Sequence, residues 1–135
     1  AGVQIRKNND GRTELLAELN EALDEVTDLT DNEVAKSHIR YMVGGHKPDA
    51  CGEEAIFRFE FPERPGALMK FLNTLGGRWN ISMFHYRNHG AAYGRVLVGM
   101  EVPKKERPEV RKYLDELGYT WFEESTNPAY QLFLG

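Results

Sequence analysis

The segment Ile56-Phe57-Arg58-Phe59-Glu60-Phe61-Pro62-Glu63-Arg64-Pro65-Gly66-Ala67-Leu68 changes its hydrophobic period halfway along, and that change sets the fold. Through Phe61, three phenylalanines alternate with Arg58 and Glu60, the period of two that marks a half-buried strand. Pro62 to Gly66 breaks the strand. From Pro65 the apolar positions Leu68, Phe71, Leu72 and Leu75 fall at i, i+3, i+4 and i+7, which predicts an amphipathic helix stopped by Gly76-Gly77.

Outward from this unit the same punctuation continues. Ile81 to Arg87 reads as a second strand, Asn88-His89-Gly90 as a turn, and Tyr93 to Val102 as a third strand closing a hairpin. Pro108 suits a first helical turn, Val110, Tyr113, Leu114 and Leu117 repeat the helical stripe, and Gly118 repeats the stop. Tyr119 to Glu123 is a last short strand. The order over 55–125 is β-α-β-β-α-β, which predicts an α+β, ferredoxin-like antiparallel sheet with two helices on one face. Its first and third strands should pair at the centre.

The first 54 residues repeat the rear half of that order. Ala1-Gly2-Val3-Gln4-Ile5 is similar to Val98-Gly99-Met100-Glu101-Val102. Leu16, Leu19 and Leu23 then form a helical stripe, and Val26 to Leu29 a short strand, so 1–30 reads as a partial β-α-β copy. Any strand-helix-strand unit has this appearance, so the pattern alone leaves the repeat open. Thr30-Asp31-Asn32-Glu33 reads as a capping box for a helix from Asp31 to about Val43, ended by Gly44-Gly45, with Ala35, Ile39 and Met42 on one face. His46 to Glu54 reads as a linker, making 31–54 a connecting helix and linker, and 126–135 is a C-terminal tail.

Composition bounds the class. A chain of 135 residues is one domain or one and a fraction, and 41% apolar residues with 7 Phe, 6 Tyr and 2 Trp can bury a core, which excludes a disordered or fibrous chain. No apolar run is long enough for a membrane span, and no charged-then-apolar leader opens the sequence. The first residue is Ala1 rather than Met, a hint of processing. Cys51 is the single cysteine, which excludes an internal disulfide or a cysteine-rich zinc site, so a reducing cytoplasm is expected. The formal net charge of −4 argues against nucleic-acid binding.

No catalytic constellation stands out. The sequence has no Gly-x-Ser-x-Gly, no phosphate loop, no glycine-rich dinucleotide turn and no lysine in a Schiff-base setting. His85 and His89 are four apart, but on a strand-to-turn segment that spacing sets no common face, and no metal site is expected. The turn from Phe61 to Leu68 is more informative. Its amides at Gly66, Ala67 and Leu68 would face outward at a helix N-terminus, which in principle accepts a carboxylate. The competing reading is that Pro65 and Gly66 simply cap the helix.

Several runs resemble one known family. Phe59-Glu60-Phe61-Pro62-Glu63-Arg64-Pro65-Gly66-Ala67-Leu68, Trp79-Asn80-Ile81-Ser82, Phe84-His85-Tyr86-Arg87, Arg40-Tyr41-Met42-Val43-Gly44-Gly45 and Thr126-Asn127-Pro128-Ala129 closely resemble the C-terminal regulatory region of biosynthetic threonine dehydratase (threonine ammonia-lyase, threonine deaminase). The resemblance covers essentially the whole chain. It implies two ACT-like modules behind a pyridoxal phosphate-dependent catalytic domain that is absent here, so that this segment carries no cofactor and no catalytic residues. Residues 1–30 would be the rear half of a first module and 55–125 a complete second one. The family's effectors are isoleucine, an inhibitor, and valine, which opposes it. Carried over by position, Glu63, Pro65, Gly66, Ala67 and Leu68 would form the effector turn, with Asn80, Ile81 and Phe84 on the strand facing it. Asn80 would meet the amino acid's polar head, and Leu68, Phe71, Ile81 and Phe84 its branched side chain. The truncated front copy implies a homo-oligomer, because a two-stranded piece is marginal alone.

Three alternatives remain at this point. An ACT-like module without ligand would only mediate subunit assembly, a stand-alone enzyme would need an acid-base pair that the sequence does not offer, and an RNA-binding module would need aromatics that Gly94 to Glu101 lacks.

Overall fold

The phenylalanine alternation becomes β1 (Glu54–Pro62), the central strand of a four-stranded antiparallel sheet. Along the chain follow α3 (Ala67–Leu75), β2 (Ile81–Arg87), β3 (Tyr93–Glu101), a 3-10 turn over Lys104–Glu106, α4 (Arg107–Leu117), β4 (Thr120–Glu123) and α5 (Pro128–Phe133). Two helices precede them, α1 (Asn9–Ala22) and α2 (Glu33–Ser37). The computed structural model describes residues 9–39, 53–75, 77–88, 90 and 92–135. The expected strand Gly2 to Ile5, the end of the connecting helix, most of the linker, Cys51, Gly76 and His89 lie outside them.

The sheet order is β2-β3-β1-β4. β1 and β3 pair along their full lengths, from Glu54 opposite Glu101 to Pro62 opposite Tyr93, while Phe57 to Glu60 also pair with β4. Because side chains alternate across a strand, β1 sends Phe57, Phe59 and Phe61 to one face and Ile56, Arg58 and Glu60 to the other. The phenylalanines meet Val96, Val98 and Met100 of β3, Phe71 and Leu75 of α3, and Val110, Leu114 and Leu117 of α4 in one core. Phe71 is its hub, with its ring centroid 5.2 Å from both Phe59 and Phe61. α4 ends as its sequence signals, on Gly118 in the left-handed conformation (φ 75°).

Four expectations need correction. First, the buried face of α3 is Ala67, Phe71 and Leu75, whereas Leu68 (47% exposed) and Leu72 (40%) turn outward. The apolar stripe is wider than the face the sheet can cover, and the sheet selects which edge of it is buried. Second, helices lie on both faces of the sheet rather than one. α2 and α5 cover the face of Ile56 and Leu97: Arg95 donates to Ser37 Oγ at 2.8 Å, the Tyr130 hydroxyl to Glu54 at 2.5 Å, and Val34, Ala129 and Tyr130 are buried. Third, α2 is capped by Asn32, not Thr30. Its side-chain oxygen accepts from the Ala35 amide at 3.0 Å and its amide group donates to Asn127 at 2.8 Å, while Thr30 bonds Asp28 instead. Glu33 therefore reaches Lys36 and Arg95 rather than back to the cap, and the helix stops at Ser37. Fourth, Val26 to Leu29 forms no strand.

The chain divides into two units, Ala1–Asp31 and Asn32–Gly135. In the first, Arg12 of α1 clamps Asp28 at 2.6 Å and Asp31 at 2.7 Å. The Thr30 hydroxyl and amide, together with Arg12, hold the Asp28 carboxyl down to about 2. No described side chain of this unit is fully buried, and its leucine stripe is half-buried at Leu16 and Leu19 and exposed at Leu23 (55%).

The narrower buried face of α3 is testable by urea unfolding. Phe71→Ala removes the hub of the core and is expected to cost about 3 to 5 kcal/mol, whereas Leu72→Ala, outward by one position, should cost less than about 1 kcal/mol. Similar costs for the two variants would contradict this packing.

Candidate functional site

The site is built where β1 leaves the sheet. Pro62 ends the ladder, and the turn Glu63-Arg64-Pro65-Gly66 must reverse the chain onto the core face within four residues. Gly66 makes this possible with φ at +83°, a conformation that side-chain-bearing residues rarely adopt. The turn is fastened at several points. Glu63 N donates to Ala92 O at 3.0 Å, Arg64 N to Pro62 O at 2.9 Å, and Ala67 N to Arg64 O at 3.3 Å. The buried Tyr119 hydroxyl donates to Ala67 O at 3.1 Å, tying the start of α3 to the beginning of β4. Lys70 makes the first helical bond, to Gly66 O at 2.8 Å. The helix itself gives the Leu68 and Met69 amides no partner, as at any N-terminus, and positive potential gathers there.

Between this turn and β2 lies a cleft of about 500 Å³ lined by Phe61, Pro62, Glu63, Arg64, Pro65, Ala67, Leu68, Phe84 and Tyr86. Its apolar walls are Phe61, Leu68 and Phe84, and its charged groups are Glu63 and Arg64. The Tyr86 hydroxyl donates to a Glu63 carboxylate oxygen, linking strand to turn, and that acceptor raises the Tyr86 phenol above its ordinary value. A Cβ on Gly94 would run into both Glu63 and the Tyr86 ring, so the missing side chain there leaves room for this pair.

Of the residues singled out in the sequence, Glu63, Pro65, Ala67, Leu68 and Phe84 line the cleft, and Gly66 shapes its turn. Phe71 does not. It is fully buried in the core, with its ring 6.4 Å from that of Phe84. Asn80 and Ile81 stand at the other end of the sheet: the Asn80 carbonyl accepts from Glu101, whose register partner is Glu54, the residue opposite in position to Pro62 along β1. The separation is the length of β1, roughly 26 Å at about 3.3 Å per residue. An antiparallel return through α3 places the start of β2 far from the start of α3, so these two residues are corrected out of the cleft within one chain. Tyr86 and Arg64 were missed. Tyr86 had a signal, because it lies two positions beyond Phe84 and therefore on the same face of β2.

The described residues hold no cluster of three or more His, Cys, Asp or Glu placed to bind a metal, and none of their helices is long and apolar enough to cross a membrane. Lys70 is engaged with the Leu117 carbonyl at 2.7 Å and lies over the Tyr119 ring, and Lys36 pairs with Glu33. Neither lines the cleft.

Residues 49–134 match the model of a family described as the C-terminal regulatory domain of threonine dehydratase. The chain is 53% identical to the biosynthetic L-threonine dehydratase of Burkholderia multivorans and 50% identical to that of Escherichia coli, in each case over 98% of this chain and 26% of the relative. It is also 50% identical to the mitochondrial threonine dehydratase of Saccharomyces cerevisiae, over 90% of this chain and 21% of that protein. The chain thus spans about a quarter of the length of these relatives, and what it matches is their regulatory end. It belongs to the family of C-terminal regulatory domains of threonine dehydratase.

Proposed function

We propose that this chain is the effector-sensing part of a cytoplasmic biosynthetic threonine dehydratase and binds branched-chain amino acids in the cleft between the Glu63–Leu68 turn and β2. The observation that carries this is the cleft itself, where helix-start amides, a carboxylate and an apolar wall converge on a space the size of a small ligand. A free amino acid presents those three chemistries together. Its carboxylate faces the start of α3 at Leu68 with Arg64 nearby, its ammonium faces Glu63, and its branched side chain lies against Leu68, Phe84 and Phe61. The Tyr86 hydroxyl holds the Glu63 carboxylate in place.

Isoleucine as inhibitor and valine as its antagonist are what membership in this family implies, and the apolar wall suits both side chains. One methylene in an apolar pocket is worth about 1 to 3 kcal/mol, so the two ligands compete for one site. In this proposal residues 55–125 form one ACT-like, ferredoxin-like module, supported by the β-α-β-β-α-β order and the β2-β3-β1-β4 sheet. Residues 1–30 are the rear half of a preceding module, 31–54 the connection and 126–135 a tail folded as α5. The half-buried leucines of α1 and the exposed Leu23 after it are then covered in a homo-oligomer or by the rest of the parent enzyme. In this reading pyridoxal phosphate belongs to the catalytic domain of the parent enzyme.

Calorimetric titration with isoleucine tests the site. Binding is expected in the parent and at least about tenfold weaker in Leu68→Asp, a change at an exposed position that sets a carboxylate against the ligand's own. Equal affinity in the folded variant would place the site elsewhere. The purified chain with added pyridoxal phosphate and threonine is expected to form no 2-oxobutyrate above the buffer blank. Activity that survives repurification would overturn the non-catalytic assignment.

A further inference from the structure

α2 is the first element after the boundary at Asp31, and the effector cleft makes no use of it. What holds it on the sheet is unusual. His38, at the C-terminal end of α2, is fully buried, and its Nδ1 lies 2.9 Å from Nδ1 of His85 on β2, with the rings edge to face. Two ring nitrogens at that distance share one proton, so one must donate and the other must present a bare lone pair. His38 Nε2 is also buried and has no partner. A buried N–H without an acceptor is costlier than a bare nitrogen, which favours His38 donating from Nδ1 and leaving Nε2 unprotonated.

That arrangement opposes a second proton at either ring. On His38 it would enter at Nε2, as a buried charge with no acceptor. On His85 it would enter at Nδ1, the acceptor of the shared bond, and break it. The surrounding arginines act in the same direction. β1 brings Arg58, paired with Glu124 at 2.9 Å, β2 brings Arg87, and β3 brings Arg95. α2 itself brings Glu33 and Lys36, paired at 2.6 Å, with Glu33 also 3.3 Å from Arg95. α5, packed against α2, carries no charged residue over Pro128–Phe133.

We propose that the neutral His38–His85 pair is a proton-sensitive latch: it holds α2 on the second face of the sheet, and protonation releases α2 while the sheet stays folded. The site thereby differs from the cleft, which lies on the opposite face, and the latch does not depend on ligand binding. Burial, then His85 and the arginines, lowers the His38 imidazole to about 3, and burial with Arg87 also lowers His85. Above the ordinary value of 6.5, latched and released states are both neutral at this pair and pH has no effect on the balance. Between 6.5 and about 3 the released state takes up a proton that the latched state refuses, so falling pH favours release by about tenfold per pH unit for each such histidine.

Amide hydrogen exchange on the 135-residue chain tests this at Ala35, Lys36 and His38, whose amides are bonded to Asn32 Oδ1, Asn32 O and Val34 O. After correction for the intrinsic pH dependence of exchange, their protection is expected to fall at least about fiftyfold from pH 6.5 to 4.5, while Phe57 and Val98 hold theirs. In His38→Leu the α2 amides should lose this steep dependence. Its persistence in that variant, or unchanged α2 protection in the parent, overturns the proposal. Nitrogen NMR of the histidine rings in the parent decides independently of whether the variant folds. His38 is expected to remain neutral, with Nε2 bare, to below pH 5, and titration of the His38 or His85 ring near 6.5 with α2 still protected overturns the latch.

Discussion

Everything in the second unit depends on β1 lying between two partners. A strand at the centre of a sheet has its backbone groups satisfied on both sides, by β3 and β4, and so can be withdrawn from water altogether, provided that both of its faces are covered. Ala55, Ile56, Phe57, Phe59 and Phe61 are all buried. The first face is covered by α3 and α4, whose apolar stripes are strong. The second is covered by two short helices, α2 and α5, which bury Val34, Ala129 and Tyr130 and are tied down by polar attachments: Arg95 to Ser37, Tyr130 to Glu54, the Ile56 amide to Ser125 at 3.0 Å, and the histidine pair.

This division of labour has consequences for function. The α3–α4 face is a continuous aromatic and aliphatic core and resists local opening, whereas α2 rests on a few directional contacts and belongs to the less stable end of the molecule. The cleft borders the rigid face, with its turn fixed by β1, by Ala92 and by Tyr119. A binding turn mounted on a rigid strand end can be preorganised, because the amides that meet a carboxylate are already aligned before the ligand arrives. An element that leaves and rejoins the sheet offers a separate means of response on the other face.

Much of the fold was legible in one dimension. The change of period at Pro62, the Pro108 start and Gly118 stop of α4, and the hairpin between Arg87 and Tyr93 all read correctly, because each is a local pattern enforced by backbone geometry. α5 was legible and missed: Asn127 caps it through the Ala129 amide at 2.9 Å and Pro128 occupies its first turn, a start signal as clear as that of α4. The capping box at Thr30 misled because three candidate caps, Thr30, Asp31 and Asn32, stood together, and only the bond from Asn32 to Asn127, 95 residues away, selects among them.

By itself the sequence determined the order and type of the elements from β1 to β4, the turn at Pro62 to Gly66 and the likeness to a regulatory domain. These rest on periods, caps and runs of residues, all of which are properties of neighbours along the chain. Tertiary structure alone decided which residues of those elements meet. Leu68 turned to the cleft and Phe71 to the core because the sheet fixed the rotation of α3. Asn80 was carried the length of β1 away from Gly66 because α3 returns antiparallel, and His38 met His85 because a second face needed cover. An apolar stripe specifies that a surface must be buried. The partner that buries it, and the polar atoms brought along with it, follow only from the register of strands distant in sequence.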